Sequence, residues 1–460
     1  MLNNEIQGPF LKLQREVDWD IRSFVKYKIA KLHTSDQDLL NRIESILVEK
    51  ANGMFLWVRL VVDELKYYYS DAVLEETVTS LPKGLKAAYG CIIDRIMDSS
   101  NPKNAREIAV RILGWMACSF RILKSYEILD GIAFDASNTT LTPRTKIRKE
   151  VLDLCRPLIE EGPASTVDFV HFSAKEGRII TNFDRYILEG EYRVGSPFIQ
   201  REKGYLDITF SCVAFLNSCI SLLPINSTEA QRAAIIVVGC YGLQIYTDRF
   251  WYKHLLLYCG LLRQYQSQFS TELLSQLQLL LRFRKDDAQP PFLLPKSMTE
   301  KDMTEDTRIE ALNYWPDLKK LVLDVVEFRA KISRDDASDK SPESLSLKSC
   351  EIDPTHFSAA RHHYQQTSEA LLDETALVEF PEINKKELQV FRDTYGVSAF
   401  ICRYLHFAFS SDGFDSSSKR AKHESQHQRQ FRCADSSCFS FASGFLTRNQ
   451  LKNTMKDTTQ

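Results

Sequence analysis

The clearest candidate for chemistry is a group of cysteine and histidine residues near the end of the chain. Thiolate and imidazole groups are ligands that Zn²⁺ prefers in proteins, and four of them hold the ion tetrahedrally. Two histidines and two cysteines follow one another as H-x3-H-x5-C-x4-C, which supplies four ligands in reversed order. A bound zinc would replace the core that so small a unit lacks. The candidate metal ligands are Cys402, His423, His427, Cys433 and Cys438.

The sequence lacks the patterns of the common enzyme classes. The P-loop pattern GxxxxGK[ST], whose backbone amides cradle phosphates, is absent from the 460 residues. A GxSxG elbow and a cysteine in a recognisable protease setting are also absent. We therefore predict that the chain is not an enzyme.

Composition indicates an ordinary globular protein. Hydrophobic residues make up 44% and charged residues 26%, and the net charge of −2 excludes a globally basic nucleic-acid binder. The longest apolar run, Ala233–Tyr246, is shorter than the ~20 residues that a bilayer helix needs, so we expect a buried core helix there. The 11 cysteines are mostly dispersed, which favours a reducing compartment. We predict a cytoplasmic or nuclear protein without membrane contact.

The chain is organised around Gly53–Ile96, where apolar residues recur at helical spacing on both sides of a Leu-Pro pair. Helical patterns continue over Ala105–Cys118 and Tyr205–Phe283. Two β-like runs, Leu158–Glu160 and Val167–His171, flank the turn-rich segment GPAST. Three helices followed by a hairpin is the order of a winged helix.

A family resemblance lies in the motif GMFLWV…L…LPxGLxxxYxxIIxRI of Gly53–Ile96. It resembles the end of the nucleotide-binding module in fungal NACHT-type proteins, the STAND class of switch ATPases. The segment FVHFSAKE, Phe169–Glu176, is similar to the end of that family's winged-helix domain. The resemblance covers roughly Asp18–Leu216 and Phe391–Leu451. It implies a helical lid and a winged helix that is regulatory and does not bind DNA.

His171, within FVHFSAKE, resembles the winged-helix histidine that contacts nucleotide phosphates in STAND proteins. The resemblance implies a relic nucleotide sensor at this position. The alternative is a histidine that ends a strand and hydrogen-bonds to local backbone. A nucleotide sensor needs a bound nucleotide to contact, and the sequence contains no P-loop to hold one.

The tail resembles the tandem two-cysteine, two-histidine fingers that end many fungal NACHT-type proteins. In the first unit one cysteine, both histidines and the pair Gly413–Phe414 match, whereas Phe407 occupies the position of the second cysteine. In the second unit both cysteines match and no histidine follows. Three outcomes stay open: zinc in the first unit with an outside ligand such as His406, zinc in the H-x3-H-x5-C-x4-C site, or two decayed fingers.

The predicted fold is mainly α, with a helical lid plus a winged helix, followed by a helical array and a small degenerate zinc-finger-like α+β tail. The predicted regions are the helical end of a NACHT module (1–100), a winged-helix domain (101–183), a helical region (184–332), a partly disordered linker (333–386) and the finger-like tail (387–460).

The predicted function is a non-catalytic regulatory or protein-interaction chain derived from a STAND/NACHT switch protein. Its expected partners are proteins, intact NACHT-type relatives among them. Zinc is the cofactor considered, and no nucleotide is expected from this chain alone. The alternative is weak, zinc-dependent nucleic-acid binding, in which a local basic patch attracts phosphates. The patch consists of Lys419, Arg420, Lys422, Arg429 and Arg432.

Overall fold

The computed structural model describes residues 19–170, 182–189, 197–219, 227–285, 307–335, 342–404 and 413–425. These residues are mainly helical with a small three-stranded antiparallel sheet, which confirms the mainly α prediction. The chain divides into two compact units. Unit 1 comprises Met1–Ile122, Glu150–Glu161 and Val167–Gln200, and unit 2 comprises Leu123–Lys149, Gly162–Thr166 and Arg201–Gln460.

The helices begin and end close to the limits of the apolar spacing. In chain order they are α1 (19–29), α2 (Gln37–Ala51), α3 (Phe55–Leu65), α4 (Asp71–Thr79), α5 (Gly84–Ile96), α6 (Lys103–Cys118), α7 (Ser125–Gly131), α8 (Asn182–Glu189), α9 (Arg201–Ser218), α10 (Glu229–Ile236), α11 (Gln244–Tyr265), α12 (Thr271–Leu280), α13 (Pro316–Asp335), α14 (Pro342–Ile352), α15 (Phe357–Leu372), α16 (Ala376–Glu379), α17 (Lys385–Tyr395) and α18 (Ser417–Glu424). Short 3₁₀ helices are Lys149–Cys155, Pro163–Ser165, Leu281–Phe283, Thr307–Leu312 and Gly396–Ser398. The strands are β1 (Leu123–Lys124), β2 (Ile159–Glu161) and β3 (Thr166–Phe169).

The core of unit 1 is built from the apolar faces of α1 to α5. The side chain of Asp36 accepts hydrogen bonds from two backbone N–H groups and starts α2, which ends where Asn52 takes a left-handed conformation. Trp57 of α3 is fully buried, and its indole N–H donates to the carbonyl oxygen of Pro82 over 3.0 Å. Helix α5 begins at Gly84, two residues after the proline of the Leu-Pro pair.

The small sheet has the strand order β1-β3-β2. In the hairpin, Ile159 pairs with Phe169 and Glu161 with Val167, antiparallel. The order along the chain is α6, β1, α7, the 3₁₀ helix Lys149–Cys155, β2 and β3. The hairpin therefore lies where the two β-like runs predicted it, and the third predicted helix is a 3₁₀ helix.

Unit 2 is a helical assembly in which α9 packs against α11 and α12, and α10 packs against α15. The continuous core helix expected over Ala233–Tyr246 is wrong, because α10 ends at Ile236 and Gly239 takes φ +79°. A residue with positive φ breaks a right-handed helix, and glycine adopts it at little cost. The next helix, α11, continues unbroken to Tyr265.

A hydrophobic cluster in unit 2 includes segments from the range that was predicted to be a linker. Ala360 and Leu371 of α15 are fully buried, and Phe391 of α17 is 1% exposed. The same cluster contains Ala233 and Ile236 of α10. Helix α17, which the sequence analysis placed at the start of a separate tail, is thus part of the core of unit 2.

A buried ion cluster crosses three helices of unit 2. Oδ1 of Asp248 in α11 accepts a hydrogen bond from Arg329 of α13 over 2.8 Å. Oδ2 of Asp248 lies 3.2 Å from the guanidinium Nε of Arg361 in α15. The Asp248 and Arg361 side chains are 2% and 5% exposed. The Asp248 carboxylate is therefore shared by two guanidinium groups inside the unit.

Candidate functional site

The first predicted finger has an extended–extended–helix arrangement in the described residues. Phe400 and Phe414 exchange backbone hydrogen bonds of 3.0 and 2.9 Å, and Cys402 follows Phe400 with a fully buried side chain. Helix α18 begins after Ser416, whose hydroxyl accepts the N–H of Lys419. These features place Cys402 on the first extended segment and the histidine of the predicted finger on the helix.

The ring of His423 packs against the ring of Phe414, a residue of the same predicted finger. The centroids of the His423 and Phe414 rings are 5.0 Å apart, and His423 lies in the last turn of α18. Phe414 belongs to the Gly413–Phe414 pair that matched the finger pattern. Gly413 takes φ +69°, and a Cβ atom there would lie 1.9 Å from the carbonyl oxygen of Ser398. The close backbone approach therefore requires glycine at this position.

Ion pairs hold α18 in place. Glu424 is 4% exposed and accepts hydrogen bonds from the backbone N–H of Arg403 over 2.8 Å and from its guanidinium over 2.6 Å. Arg420 of α18 forms a bidentate pair with Glu369 of α15. The sequence analysis had assigned Arg420 to a basic phosphate-binding patch, but its guanidinium is engaged by a carboxylate. A bidentate Arg–carboxylate pair is geometrically specific, so it orients α18 against α15.

The remaining predicted site residues lie outside the described residues. These are the relic sensor His171, the ligands His427, Cys433 and Cys438, and the outside ligand His406. Within residues 19–425 as described, no cluster of three or more Cys, His, Asp or Glu side chains could hold a metal. Of the predicted metal ligands, the described residues therefore include Cys402 and His423.

A second polar site lies in unit 2 and was missed by the sequence analysis. Asp130 of α7 is 1% exposed and accepts the N–H of Gly242 over 3.1 Å. The Lys146 ammonium group lies 3.9 Å from Asp130 and donates to the Gly239 carbonyl over 2.6 Å and to the Tyr395 hydroxyl over 3.0 Å. Tyr395 donates to the same Gly239 carbonyl. This buried network joins three separate chain segments of unit 2.

The cavity beside this network is too small for a substrate. It measures about 10 Å³, which is the room needed for a single water molecule. Tyr126 and Tyr395 line it with ring centroids 4.8 Å apart, and the Tyr126 hydroxyl bonds to that of Ser398 over 3.0 Å. The network is therefore a structural centre and offers no space for catalysis.

This network makes the stability of unit 2 depend on pH. Burial raises the pKa of Asp130 from 3.8 to about 7, although Lys146 and the Gly242 N–H oppose the rise. The folded state holds this proton at pH values where the unfolded chain has released it, so its stabilising contribution is present below about pH 4 and is lost as the pH rises to about 7. Between pH 5 and pH 8 we expect the wild-type Tm to fall by roughly 2–6 °C more than that of Asp130→Asn.

Thermal unfolding followed by circular dichroism at several pH values would measure this difference. Other titrating groups contribute equally to both proteins, so the comparison isolates Asp130. Parallel Tm–pH curves would contradict the assignment.

Comparison with known proteins gives no assignment. No protein-family model, curated protein or solved structure matches the chain. No helix of the described residues has the length and apolar character to span a bilayer. The function must therefore be inferred from the residues and geometry of the chain itself.

Proposed function

We propose that this chain is a non-catalytic regulatory protein that retains the helical lid and winged helix of a STAND/NACHT-type switch and acts by binding other proteins. The observation that carries the proposal is the strand order β1-β3-β2 following α6, with β2 and β3 joined as a hairpin. A helix, a short strand, two further helical segments and a hairpin that closes this sheet are the parts of a winged helix. The motif of Gly53–Ile96 and the segment FVHFSAKE support the same family.

Exposed aromatic side chains in unit 1 support a role in protein binding. Trp19 of α1 is 70% exposed, Tyr27 is 62% exposed and Tyr69 is 75% exposed. Large exposed apolar side chains are common in protein interfaces, where aromatic residues supply much of the binding energy. In the resembled family, the lid helices pack against the ATPase core, so the proposed partner is the nucleotide-binding module of an intact NACHT-type protein.

The test is the effect of this chain on an intact NACHT-type ATPase. At equimolar concentration we expect the purified chain to bind the ATPase and change its rate of nucleotide hydrolysis at least about twofold, while it hydrolyses no nucleotide alone. Trp19→Ala and Tyr69→Ala should each weaken binding by about tenfold or more, as expected for aromatic interface residues. Tyr314→Ala is the matched control, because Tyr314 is 88% exposed but lies in unit 2. An unchanged hydrolysis rate without complex formation would refute the proposal.

The second candidate function is zinc-dependent, weak nucleic-acid binding through the tail. The backbone pairing of Phe400 with Phe414, followed by helix α18, supports it, with Cys402 after the first extended segment and His423 on the helix. This candidate predicts one zinc per chain by elemental analysis. Cys402→Ser should lower the bound zinc severalfold, since the first unit then keeps only histidines. Cys91→Ser, at an exposed cysteine in α5, is the control and should leave zinc unchanged.

Nucleic-acid binding would then be tested by its dependence on salt and on chelator. Binding through phosphates weakens steeply as the salt concentration rises. Binding that EDTA abolishes would support the finger, whereas a zinc-free protein with unchanged folding would exclude it.

A further inference from the structure

A cavity of about 230 Å³ lies among α3, α4 and α5 of unit 1. An apolar cavity of about 150 Å³ already holds a benzene ring, so this one has room for a ring with a short substituent. Cys91 is one of the exposed residues that line it. The apolar part of its wall is formed by Leu60, Val61, Leu65, Leu81, Pro82, Ala88 and Ile92.

Glu64 is the buried acidic group in this wall. The residue is 9% exposed, and its Oε1 accepts a hydrogen bond from Nε of Arg95 over 2.7 Å. Its other oxygen, Oε2, is buried without a hydrogen-bond partner. A buried acceptor that loses its hydrogen bonds to water is costly, more so when it carries charge. Glu64 therefore has one oxygen in need of a donor.

Arg95 is already committed to other contacts. Its Nη2 donates to the carbonyl oxygen of Arg156, and its guanidinium lies 4.0 Å from the centroid of the Tyr67 ring. Burial raises the pKa of Glu64, and Arg95 opposes that rise. A second positively charged donor would favour the ionised carboxylate further.

The polar edge of the cavity disfavours anions. Thr77 and Ser80 line it, but the hydroxyl of Thr77 donates to Val73 O over 2.7 Å and that of Ser80 to carbonyls of α4. These hydroxyl oxygens can accept further hydrogen bonds, as Glu64 can. Tyr68 also lines the cavity, and its hydroxyl is hydrogen-bonded to Thr77, whose own proton goes to Val73 O. The polar side chains of the wall therefore favour a ligand that donates.

We propose that this cavity binds a small amphipathic amine, whose apolar body fills the space among α3, α4 and α5 and whose ammonium group pairs with the carboxylate of Glu64. A charge-assisted hydrogen bond is about twice as strong as a neutral one, so the amine is preferred over an alcohol of the same shape. A carboxylic acid would bring a second negative charge beside Glu64 and is excluded. The cavity belongs to unit 1 alone, and the inference does not rest on the proposed function.

Binding of three probes of one shape to the full chain tests this inference. Benzylamine, benzyl alcohol and benzoate would be titrated by calorimetry, with thermal stability measured in parallel. We expect benzylamine to bind at least about tenfold more tightly than benzyl alcohol, and benzoate not to bind. Absence of benzylamine binding at millimolar concentration would overturn the proposal.

Two variants locate the site. Glu64→Gln keeps the shape of the side chain and should weaken benzylamine at least about tenfold, with benzyl alcohol unchanged. Ala88→Leu fills the cavity and should abolish binding of both, whereas Ala87→Leu, on the exposed face of the same helix, should have no effect. Equal benzylamine affinity in Glu64→Gln and wild type would overturn the amine assignment. Unchanged binding in Ala88→Leu would overturn the location.

A chemical readout does not depend on the stability of any variant. Cys91 lines the cavity and is exposed, so iodoacetamide should alkylate it, slowly because burial raises the pKa of its thiol. Bound benzylamine should protect Cys91 severalfold, as measured by mass spectrometry of its peptide. Equal alkylation rates with and without saturating benzylamine would count against the site.

Discussion

Replacing Asp248 with alanine should destabilise unit 2 by about 3–5 kcal/mol, the largest effect expected of any single substitution described above. Asp248 is the carboxylate that the buried guanidinium groups of Arg329 and Arg361 share, and its side chain is 2% exposed. Its removal takes away the only carboxylate within 4 Å that the two guanidinium groups share among the described residues, and the more distant Asp353 acts on Arg329 through its charge alone. Breaking a buried pair from one side costs far more than the pair contributes, because the partner charge stays desolvated.

The measurement is denaturant unfolding of the full chain followed by a probe that reports on unit 2. Trp251, fully buried in the same helix as Asp248, supplies a fluorescence signal there. Arg263→Ala is the matched control, because Arg263 of α11 pairs with Glu310 over 2.7 Å with both side chains at least half exposed. An exposed pair contributes only about 0–1 kcal/mol. If Asp248→Ala lowers the free energy of unfolding no more than Arg263→Ala does, the buried ion cluster does not make the predicted contribution to the stability of unit 2.

Replacing Gly413 with alanine should unfold the finger-like end of the chain while the rest stays folded. The new Cβ atom would lie 1.9 Å from the carbonyl oxygen of Ser398, a distance that the backbone must open to relieve. Opening it separates Phe400 from Phe414 and removes one of the contacts that position α18. We expect a local cost above about 3 kcal/mol, since the strain of a positive φ adds to the clash.

Limited proteolysis with mass mapping measures this local opening. A cost of about 3 kcal/mol corresponds to a rise of about a hundredfold in cleavage at Lys419 and Lys422, because cleavage follows the open population. Gly53→Ala is the control: Gly53 has φ +75° with no atom within 4 Å of the added Cβ, so only the conformational strain remains. Cleavage of Gly413→Ala at the wild-type rate would show that the two extended segments do not hold the helix.

The sequence predicted the helices and the hairpin because both depend on local periodicity. Apolar spacing located α6 within a few residues, and the alternation around GPAST located β2 and β3. The prediction was wrong at Ala233–Tyr246, where an apolar run suggested one helix. The positive φ of Gly239 divides it, and the Gly239 carbonyl accepts bonds from Lys146 and Tyr395, which are remote in sequence.

The candidate sites were less predictable because their contacts are long-range. Cys402 and His423 could be singled out by their residue types and spacing, and the structure places Cys402 just after the Phe400 bridge and His423 on helix α18. Glu64 could not, because a single acid on an apolar helix face gives no local sign that one of its oxygens is unpaired. Asp130 and Asp248 likewise pair with groups from other elements, which spacing along the chain does not reveal.

The position of α17 determines where this chain can be shortened without loss of core contacts in unit 2. Phe391 and Tyr395 belong to the same hydrophobic cluster as α10 and α15, and Tyr395 bonds to Lys146 and Gly239. A chain shortened before Lys385 would lose these side chains and leave the Lys146 ammonium group without its tyrosine partner. A truncation or fusion that keeps the hydrophobic cluster of unit 2 intact must therefore lie after Tyr395.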